Sequence, residues 1–170
     1  MKKQLSKIIP CFFLLLIISC GGGGVGGDGG GNNNPPSQPT TAVLKLLASG
    51  TLPASTTIGG IQVTVLLPAG VTVKSTANPP ETDANVVVQS GNALTNSTIL
   101  STYDPTSQKV TVFLVNPNGF NIGEYATMNC NIAAGYHPTQ ADFSLTGTIV
   151  KDLNGASVSG ITAGFTAAIQ

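Results

Sequence analysis

The sequence contains no arginine and no tryptophan, and charged residues make up only 8% of its 170 residues. Proteins that bind nucleic acid neutralise phosphates with clustered lysine and arginine side chains, so this composition argues against a nucleic-acid partner. The same shortage argues against a basic patch that grips anionic lipid. Without tryptophan, a flat aromatic platform for sugars has to be built from other rings, and the chain offers three tyrosines for that role.

Residue types that carry catalysis are also scarce. His137 is the only histidine and lies in a Tyr-His-Pro stretch where a loop is predicted. The serines lack the Gly-x-Ser-x-Gly context of a nucleophile elbow, so no serine triad is indicated. Glu81 and Asp83 follow two prolines in a predicted exposed loop, which favours solvation over a glycosidase acid pair. The sequence therefore predicts a protein that is not an enzyme and uses no cofactor.

Metal and thiol chemistry find equally little support. The turn Asp152-Leu153-Asn154-Gly155 contains half of a calcium-loop pattern, but the remaining acidic ligands and the later glutamate are absent. A plain turn without metal is the prediction, and calcium at Asp152 is the alternative left open. Cys130 lies in an alternating apolar and polar stretch with no histidine or lysine beside it. This context predicts a core residue and not a reactive thiol.

The clearest signal that is present lies at the N-terminus. Three lysines in the first seven residues precede an apolar run over residues 8–18, which is too short to span a bilayer stably. This pattern predicts a secretory signal peptide over residues 1–19, cleaved between Ser19 and Cys20. An ordinary secreted protein with a cysteine near its cleavage site is the alternative.

The end of this segment, Ile17-Ile18-Ser19-Cys20, resembles the lipobox of bacterial lipoproteins. The resemblance implies that the protein is cut before Cys20 and that diacylglycerol is attached to the Cys20 sulfur. The membrane is then a partner through acyl chains such as palmitate, and each buried methylene contributes about 0.8 kcal/mol. The expected location is the bacterial envelope. Because Gly21 follows the cysteine, we expect the outer membrane in organisms that use an aspartate there as a retention signal.

Residues 20–40 form a predicted linker rich in glycine, asparagine and proline, with Asp28 as its only charge. Such a segment cannot bury enough apolar surface to fold. A flexible glycine-rich coil of this length has an end-to-end distance of about 25 Å, which separates a domain from lipid head groups. After processing, the chain holds four lysines against seven carboxylates, a net charge of −3.

Residues 41–170 are predicted to form one all-β domain. The length suits a single core, and turn residues separate short runs of alternating or β-branched apolar residues. These features predict a single jelly-roll-like β-sandwich of about eight to nine strands. The predicted strands cover residues 42–48, 61–67, 71–73, 85–89, 99–100, 110–115, 124–133, 143–149 and 157–168.

The alternation also predicts which side chains form the core. In the reversed register, Phe113 and Val115 would face inward instead. Asn116-Pro117-Asn118-Gly119 is predicted to end its strand in a tight turn. The glycines inside the late strands, Gly147, Gly160 and Gly164, are predicted to mark bulges or close backbone contacts. The expected inward-facing residues are Val112, Leu114, Met128, Cys130, Phe143 and Leu145.

Several segments of this domain resemble a cohesin-type domain. Residues 58–65, followed by Leu67-Pro68-Ala69-Gly70-Val71, resemble the opening strand of that family and its Pro/Gly turn. Residues 109–115, 123–128 and 143–155 resemble its central strand, the segment after it and its closing hairpin. The resemblance implies a sandwich of about nine strands without catalysis. Cohesins bind dockerin modules on one sheet face, and carbohydrate-binding modules share the fold.

The sequence therefore predicts a non-catalytic cell-surface lipoprotein that presents an interaction module to a protein partner. The alternative is a carbohydrate-binding module that recognises polysaccharide at the cell surface. In that case Tyr103, Tyr125 and Tyr136 are the candidate ligand-binding residues, because tyrosine rings can stack on the apolar face of a sugar.

Overall fold

The structure of the protein, a computed structural model, describes residues 37–76 and 80–170. The predicted signal peptide, the predicted cleavage site at Ser19 and Cys20, and most of the predicted linker lie outside the described residues. The described chain contains nine strands and two short 3-10 turns, Gly91–Ala93 and Gln140–Asp142. The strands are β1 (Thr41–Gly50), β2 (Ile58–Leu66), β3 (Val71–Thr72), β4 (Val87–Gln89), β5 (Thr98–Asp104), β6 (Lys109–Phe120), β7 (Gly123–Ile132), β8 (Ser144–Lys151) and β9 (Ile161–Ile169).

The strands form two antiparallel sheets that share one core. In the five-stranded sheet, β7 pairs with β1 on one side and with both β3 and β4 on the other, and β9 lies beyond β1. The four-stranded sheet has the order β5-β6-β2-β8. No helix within residues 37–76 and 80–170 is long and apolar enough to cross a membrane. The arrangement confirms the predicted all-β sandwich, and all nine predicted strands are present with shifted ends.

Alternation along β6 shows how the core forms. Val110, Val112 and Leu114 are fully buried, whereas Phe113 and Val115 are 43% and 41% exposed. Successive side chains of a strand point to opposite faces, so the predicted register is confirmed and the reversed register is wrong. The predicted core residues Val112, Leu114, Met128, Cys130 and Phe143 are buried, and Leu145 packs half-buried against them.

Strand β6 does not end at the predicted turn. It continues through Asn116-Pro117-Asn118-Gly119 to Phe120, which pairs with Ile58. Val115 pairs with Gly60. The two paired residues of β2 are therefore two positions apart, whereas their partners on β6 are five positions apart. The turn-forming residues therefore produce a bulge inside a strand, and the prediction that the strand ends there is wrong.

The Asn116 side chain fixes this bulge. It is buried, and its Nδ2 donates to the Thr95 carbonyl and to Ser97 Oγ, both at 2.9 Å. Its Oδ1 accepts the N–H of Asn118 at 2.9 Å. Gly119, at φ +71°, provides the left-handed backbone that the bend requires. Breaking these bonds would leave buried polar atoms unsatisfied, so the bulge keeps one conformation.

The two ends of the sandwich are distinct. At the first end the chain enters β1, where the Thr41 N–H donates to the Gln170 carbonyl at 3.0 Å and the Gln170 N–H donates to the Thr41 carbonyl at 2.8 Å. The ten residues of β1 lead to Gly50 at the second end, roughly 30 Å away at about 3.3 Å per residue. The end of β8 also lies at the second end. Strand β9 begins opposite Gly50. Val158, which lies just before β9, donates its N–H to the Val150 carbonyl of β8 at 3.0 Å.

Candidate functional site

The outward side of the four-stranded sheet, named here the front face, carries the candidate site. Strand pairing aligns its side chains in rows that run across β5, β6, β2 and β8. Directly opposed side chains lie about 4.5–5.5 Å apart at Cβ, so each row is a continuous strip. Beginning at the second end, the rows are Thr98–Val115–Gly60–Lys151, then the apolar row Leu100–Phe113–Gln62–Ile149, then the threonine row Thr102–Thr111–Thr64–Thr146.

The apolar row is exposed along its length. Leu100 is 62% exposed, Phe113 43% and Ile149 47%, although all three are large hydrophobic residues in regular strands. Val115 continues the apolar surface into the neighbouring row. Single exposed hydrophobic residues are common, but a contiguous exposed patch marks a surface that binds something.

The polar part of the front face lies toward the first end of the sandwich. In the threonine row, Thr64 Oγ1 and Thr111 Oγ1 share a hydrogen bond of 3.3 Å. Beyond it Asp104 lies opposite Lys109. Asp104 accepts a hydrogen bond of 2.5 Å from Ser107 Oγ, and this bond is the main reason why the pKa of its carboxyl is lowered. The exposed apolar side chains of the front face therefore lie toward the second end, with Lys151 beside them on the edge strand β8, whereas the first end carries the threonine row and the Asp104–Lys109 pair.

A hollow of about 400 Å³ lies at the second end of the front face, beside the apolar row. Gly60 forms part of its floor, because this residue places no side chain between Val115 on β6 and Lys151 on β8. Phe113 and Ile149 line its sides. An apolar concavity with a few polar groups at its rim has the usual composition of a binding pocket.

The three candidate tyrosines do not share a surface. Tyr103 lies on the inner side of β5 and is buried, and burial is the main cause that raises its pKa. Tyr125, in β7, is completely buried. Tyr136 follows β7 in a loop and is 46% exposed, with its ring against Gly70, where a Cβ would come within 2.1 Å of the ring. Among the three, Tyr136 alone presents ring surface to solvent.

A bulge in β7 explains the burial of Tyr125. Leu46 of β1 pairs with Ala126, but the next residue, Leu47, pairs with Glu124, so Tyr125 is an extra residue in its strand. Both Tyr125 and Ala126 are therefore buried, which strict alternation does not allow. The Tyr125 hydroxyl is buried without a hydrogen-bond partner among the described residues, and burial raises its pKa.

The ionisable residues considered from the sequence lie apart. The Nε2 atom of exposed His137 is 3.3 Å from the side-chain nitrogen of Gln38. Asp152 Oδ1 accepts the N–H groups of Asn154 and Ala156, each at 2.8 Å, so this carboxylate closes its own turn. Residues 37–76 and 80–170 contain no group of three histidine, cysteine or carboxylate side chains that could hold a metal ion.

The buried thiol and the two loop carboxylates have different surroundings. Cys130 is free and buried, and burial raises its pKa to about 12, so the thiol stays protonated and unreactive at neutral pH. Glu81 and Asp83 are exposed in the segment before β4, as the sequence predicts.

Sequence reasoning missed the front face as a site. Alternation identifies Phe113 and Val115 as outward residues, but it does not say what lies next to them. Leu100 and Ile149 join Phe113 in one row only through pairing between strands that are distant in sequence. The signal that the sequence does contain is an apolar residue at an outward position in several strands, where solvent contact would favour a polar one.

No protein-family model and no curated protein matches the chain. Among solved structures, the chain is similar to a non-cellulosomal cohesin from the hyperthermophilic archaeon Archaeoglobus fulgidus, with a TM-score of 0.50, 15% identity, and coverage of 72% of this chain and 75% of that chain. It is also similar to a type II cohesin A11 from Bacteroides cellulosolvens, with a TM-score of 0.46, 10% identity, and coverage of 68% and 81%. At these levels of sequence identity, the similarity supports a shared fold and nothing further. The described domain has a cohesin-like β-sandwich fold.

Proposed function

We propose that the protein is a non-catalytic lipoprotein of the bacterial cell surface whose domain binds a protein partner through the front face. The observation that carries the proposal is the apolar row, in which Leu100, Phe113 and Ile149 are exposed, with the half-buried Gln62 between the last two. Removing apolar surface from water contributes about 25 cal/mol per Å². A partner that covers this row therefore gains binding free energy, and the threonine row provides a polar rim beside it.

A protein suits this face better than a polysaccharide does. Platforms that bind sugars present aromatic rings, and Phe113 is the only aromatic side chain in the three rows. The other exposed apolar groups, Leu100, Val115 and Ile149, are branched aliphatic side chains that pack well against protein side chains. Tyr136, which retains exposed ring surface, lies in the loop after β7 and not on the front face.

The cohesin-like fold supports the same proposal at the level of partner class. The segments that resemble a cohesin-type domain include the part of β2 and β6 that forms the centre of the front face. A dockerin-like protein module is the partner that this resemblance implies. The scaffolding or adhesive role of such a pair needs binding and no catalysis.

Attachment to the envelope is the second part of the proposal. The predicted lipid on Cys20 would tether the chain through the segment that precedes β1, and β1 begins at the first end of the sandwich. The apolar row and the hollow lie toward the second end. A partner approaching from the side away from the membrane would then meet the apolar part of the front face first.

The test is a pair of charge substitutions in the full-length chain. Phe113→Asp places a carboxylate in the apolar row, whereas Leu94→Asp makes the same kind of change at a residue that is 65% exposed in a loop outside that row. Envelope and secreted proteins captured by the wild type are expected to be lost with Phe113→Asp and retained with Leu94→Asp. Hydrogen exchange of the complex is expected to show protection of β5, β6 and β8. Equal capture by both variants would contradict the assignment of the front face.

The carbohydrate alternative has its own measurement. Affinity-gel electrophoresis over a panel of polysaccharides is expected to show no retardation of the protein. Retardation that Tyr136→Ala abolishes and Phe113→Asp leaves intact would replace the proposed function with sugar binding, since Tyr136 is the exposed tyrosine of the three candidates.

A further inference from the structure

The floor of the hollow is set by a glycine that the fold itself does not require. A Cβ added at Gly60 would meet the Leu114 carbonyl oxygen at 3.4 Å and a Val115 methyl group at 4.0 Å, which are ordinary contacts. Its backbone does not have the positive φ that demands glycine. The neighbouring Gly59 differs, because its Cβ would come within 2.5 Å of the Asp152 carbonyl oxygen. Local packing explains Gly59, but it does not explain Gly60.

Two polar groups of the hollow are available to a partner. Lys151 pairs with Gly60 across the strands, and its Nζ donates to Ser157 Oγ at 2.9 Å. It has no carboxylate partner within the part of the chain that the structure describes, where the single ion pair joins Lys45 and Glu124. Oδ1 of the adjacent Asp152 accepts hydrogen bonds from the backbone of its own turn. The rim therefore carries a cation whose charge is not compensated by a salt bridge.

Gln62 provides the second group. Its side chain lies in the middle of the apolar row, between Phe113 and Ile149, and is half-buried. Its amide makes no side-chain hydrogen bond among the described residues, and the residues opposite it in the neighbouring strands are apolar. A peptide backbone that crosses the row would supply the complementary acceptor and donor.

We infer that the hollow receives one apolar side chain of the protein partner while a carboxylate close to it in the same segment pairs with Lys151. The inference rests on the proposed function and adds the chemistry of the partner. The apolar walls select the side chain, the uncompensated ammonium selects the carboxylate, and Gln62 contacts the backbone between them. A neutral polysaccharide offers neither the branched apolar group nor the carboxylate, so a short protein segment is the occupant that fits all three features.

The experiment pans a library of short random peptides on the full-length protein in detergent, and the binding of each selected peptide to Gly60→Val is then measured. Valine adds a branched side chain at the floor of the hollow and is favoured in a strand, and an unchanged urea midpoint would show that the variant folds. The matched control is Gly164→Val in β9 of the other sheet, where an added Cβ has nothing within 4 Å. Selected peptides are expected to pair an apolar residue with Asp or Glu. They are expected to bind Gly60→Val about tenfold or more weakly and to bind Gly164→Val as they bind the wild type.

Lys151→Gln tests the carboxylate separately. Replacing the acidic residue of a selected peptide by its amide is expected to weaken binding to the wild type but not to Lys151→Gln, because the two changes remove the same interaction. Added salt is expected to weaken the binding of the acidic peptide more than the binding of the amide peptide. Additive effects of the two changes would overturn the role of Lys151.

The remaining outcomes separate this inference from the proposed function. Peptides that lose binding to Phe113→Asp but bind Gly60→Val normally would contradict the proposed role of the hollow. They would still agree with binding through the front face. Peptides indifferent to both variants would overturn both proposals. Failure to enrich any peptide would also overturn the proposed role of the hollow, as would binding of a uronic-acid polysaccharide or self-association of the protein that Gly60→Val abolishes.

Discussion

Phe143 contributes to stability through its position between the sheets. It is buried, and its ring contacts that of Phe165 in an edge-on arrangement with centroids 6.4 Å apart. Truncating a buried phenylalanine to alanine costs about 3–5 kcal/mol, a large part of the ~5–15 kcal/mol that keeps a domain folded. Phe143→Ala is therefore expected to lower the urea midpoint strongly. Phe113→Ala is the control, since Phe113 is exposed, and is expected to change stability by about 0.5 kcal/mol or less. Equal shifts would contradict the observed register.

Cys130 makes stability depend on pH in the alkaline range. Burial raises the pKa of its thiol from 9.0 to about 12. The unfolded chain therefore loses this proton first as pH rises, so the stabilisation is fully present below about pH 9 and is lost progressively toward pH 12. The urea midpoint is expected to fall from pH 8 to pH 11, and to fall less in Cys130→Ala. Some loss is expected to remain in the variant because burial also raises the pKa of Tyr125.

Thiol labelling tests the burial of Cys130 independently. Alkylation of Cys130, followed by mass spectrometry of its peptide, is expected to be slow in the folded protein and to accelerate at the urea concentrations that unfold the domain. Rapid labelling of the native protein at pH 8 would contradict the protonated, buried thiol.

At the level of strands, replacing two glycines by alanine is expected to change the stability of the domain in opposite directions. Gly147, at φ +63°, occupies a bulge in β8, because Ile149 pairs with Gln62 while Thr146 already pairs with Thr64. Alanine in this left-handed conformation costs about 1–2 kcal/mol. Gly164 lies inside β9 without a positive φ and with open space around its Cβ position. Alanine there is expected to stabilise by about 0.5–1 kcal/mol.

Urea midpoints of Gly147→Ala and Gly164→Ala decide this prediction. A lower midpoint for the first and a higher midpoint for the second are expected. Midpoints that move in the same direction would show that the bulge in β8 does not set the backbone conformation at residue 147.

The regular strands and the bulge at Gly147 were predictable from the sequence, whereas the bulges at Asn116 and Tyr125 were not. Alternation in β6 specifies which side chains are buried, since only one side of the strand meets the core. The prediction that Asn116 begins a terminal turn was wrong because its amide finds partners in a separate loop, at Thr95 and Ser97. Tyr125 is buried through a bulge against Leu46 and Leu47, and a single strand's pattern does not report a slip in pairing.

The candidate site was out of reach of sequence reasoning for a related reason. The apolar row exists because β5, β6, β2 and β8 pair in a particular order and register. Moving one strand by a single residue would turn its outward side chains toward the core. The residues of the row are therefore recognisable only after the whole sheet is assembled.

For the whole molecule, the position of the first strand relates the proposed tether to the front face. The chain enters at Thr41, beside Gln170, and the row containing Gly60 and Lys151 lies at the opposite end of the sandwich. A strand of ten residues separates these ends by roughly 30 Å. An anchor that precedes Thr41 would therefore be joined to the domain at the end opposite to the hollow.

The anchor itself is tested by two cysteine substitutions in the full-length chain. Diacylglycerol is attached through a thioether, so Cys20→Ala is expected to abolish incorporation of radiolabelled palmitate and to release the protein from the membrane fraction. Cys11→Ala removes the other cysteine of the N-terminal region, within the predicted signal peptide, and is expected to retain the label. Two or more acyl chains hold a protein durably where one gives only marginal binding, so partial release would indicate incomplete acylation. Label that persists on Cys20→Ala would contradict the lipoprotein proposal, while capture of a partner by the front face in solution would remain unaffected.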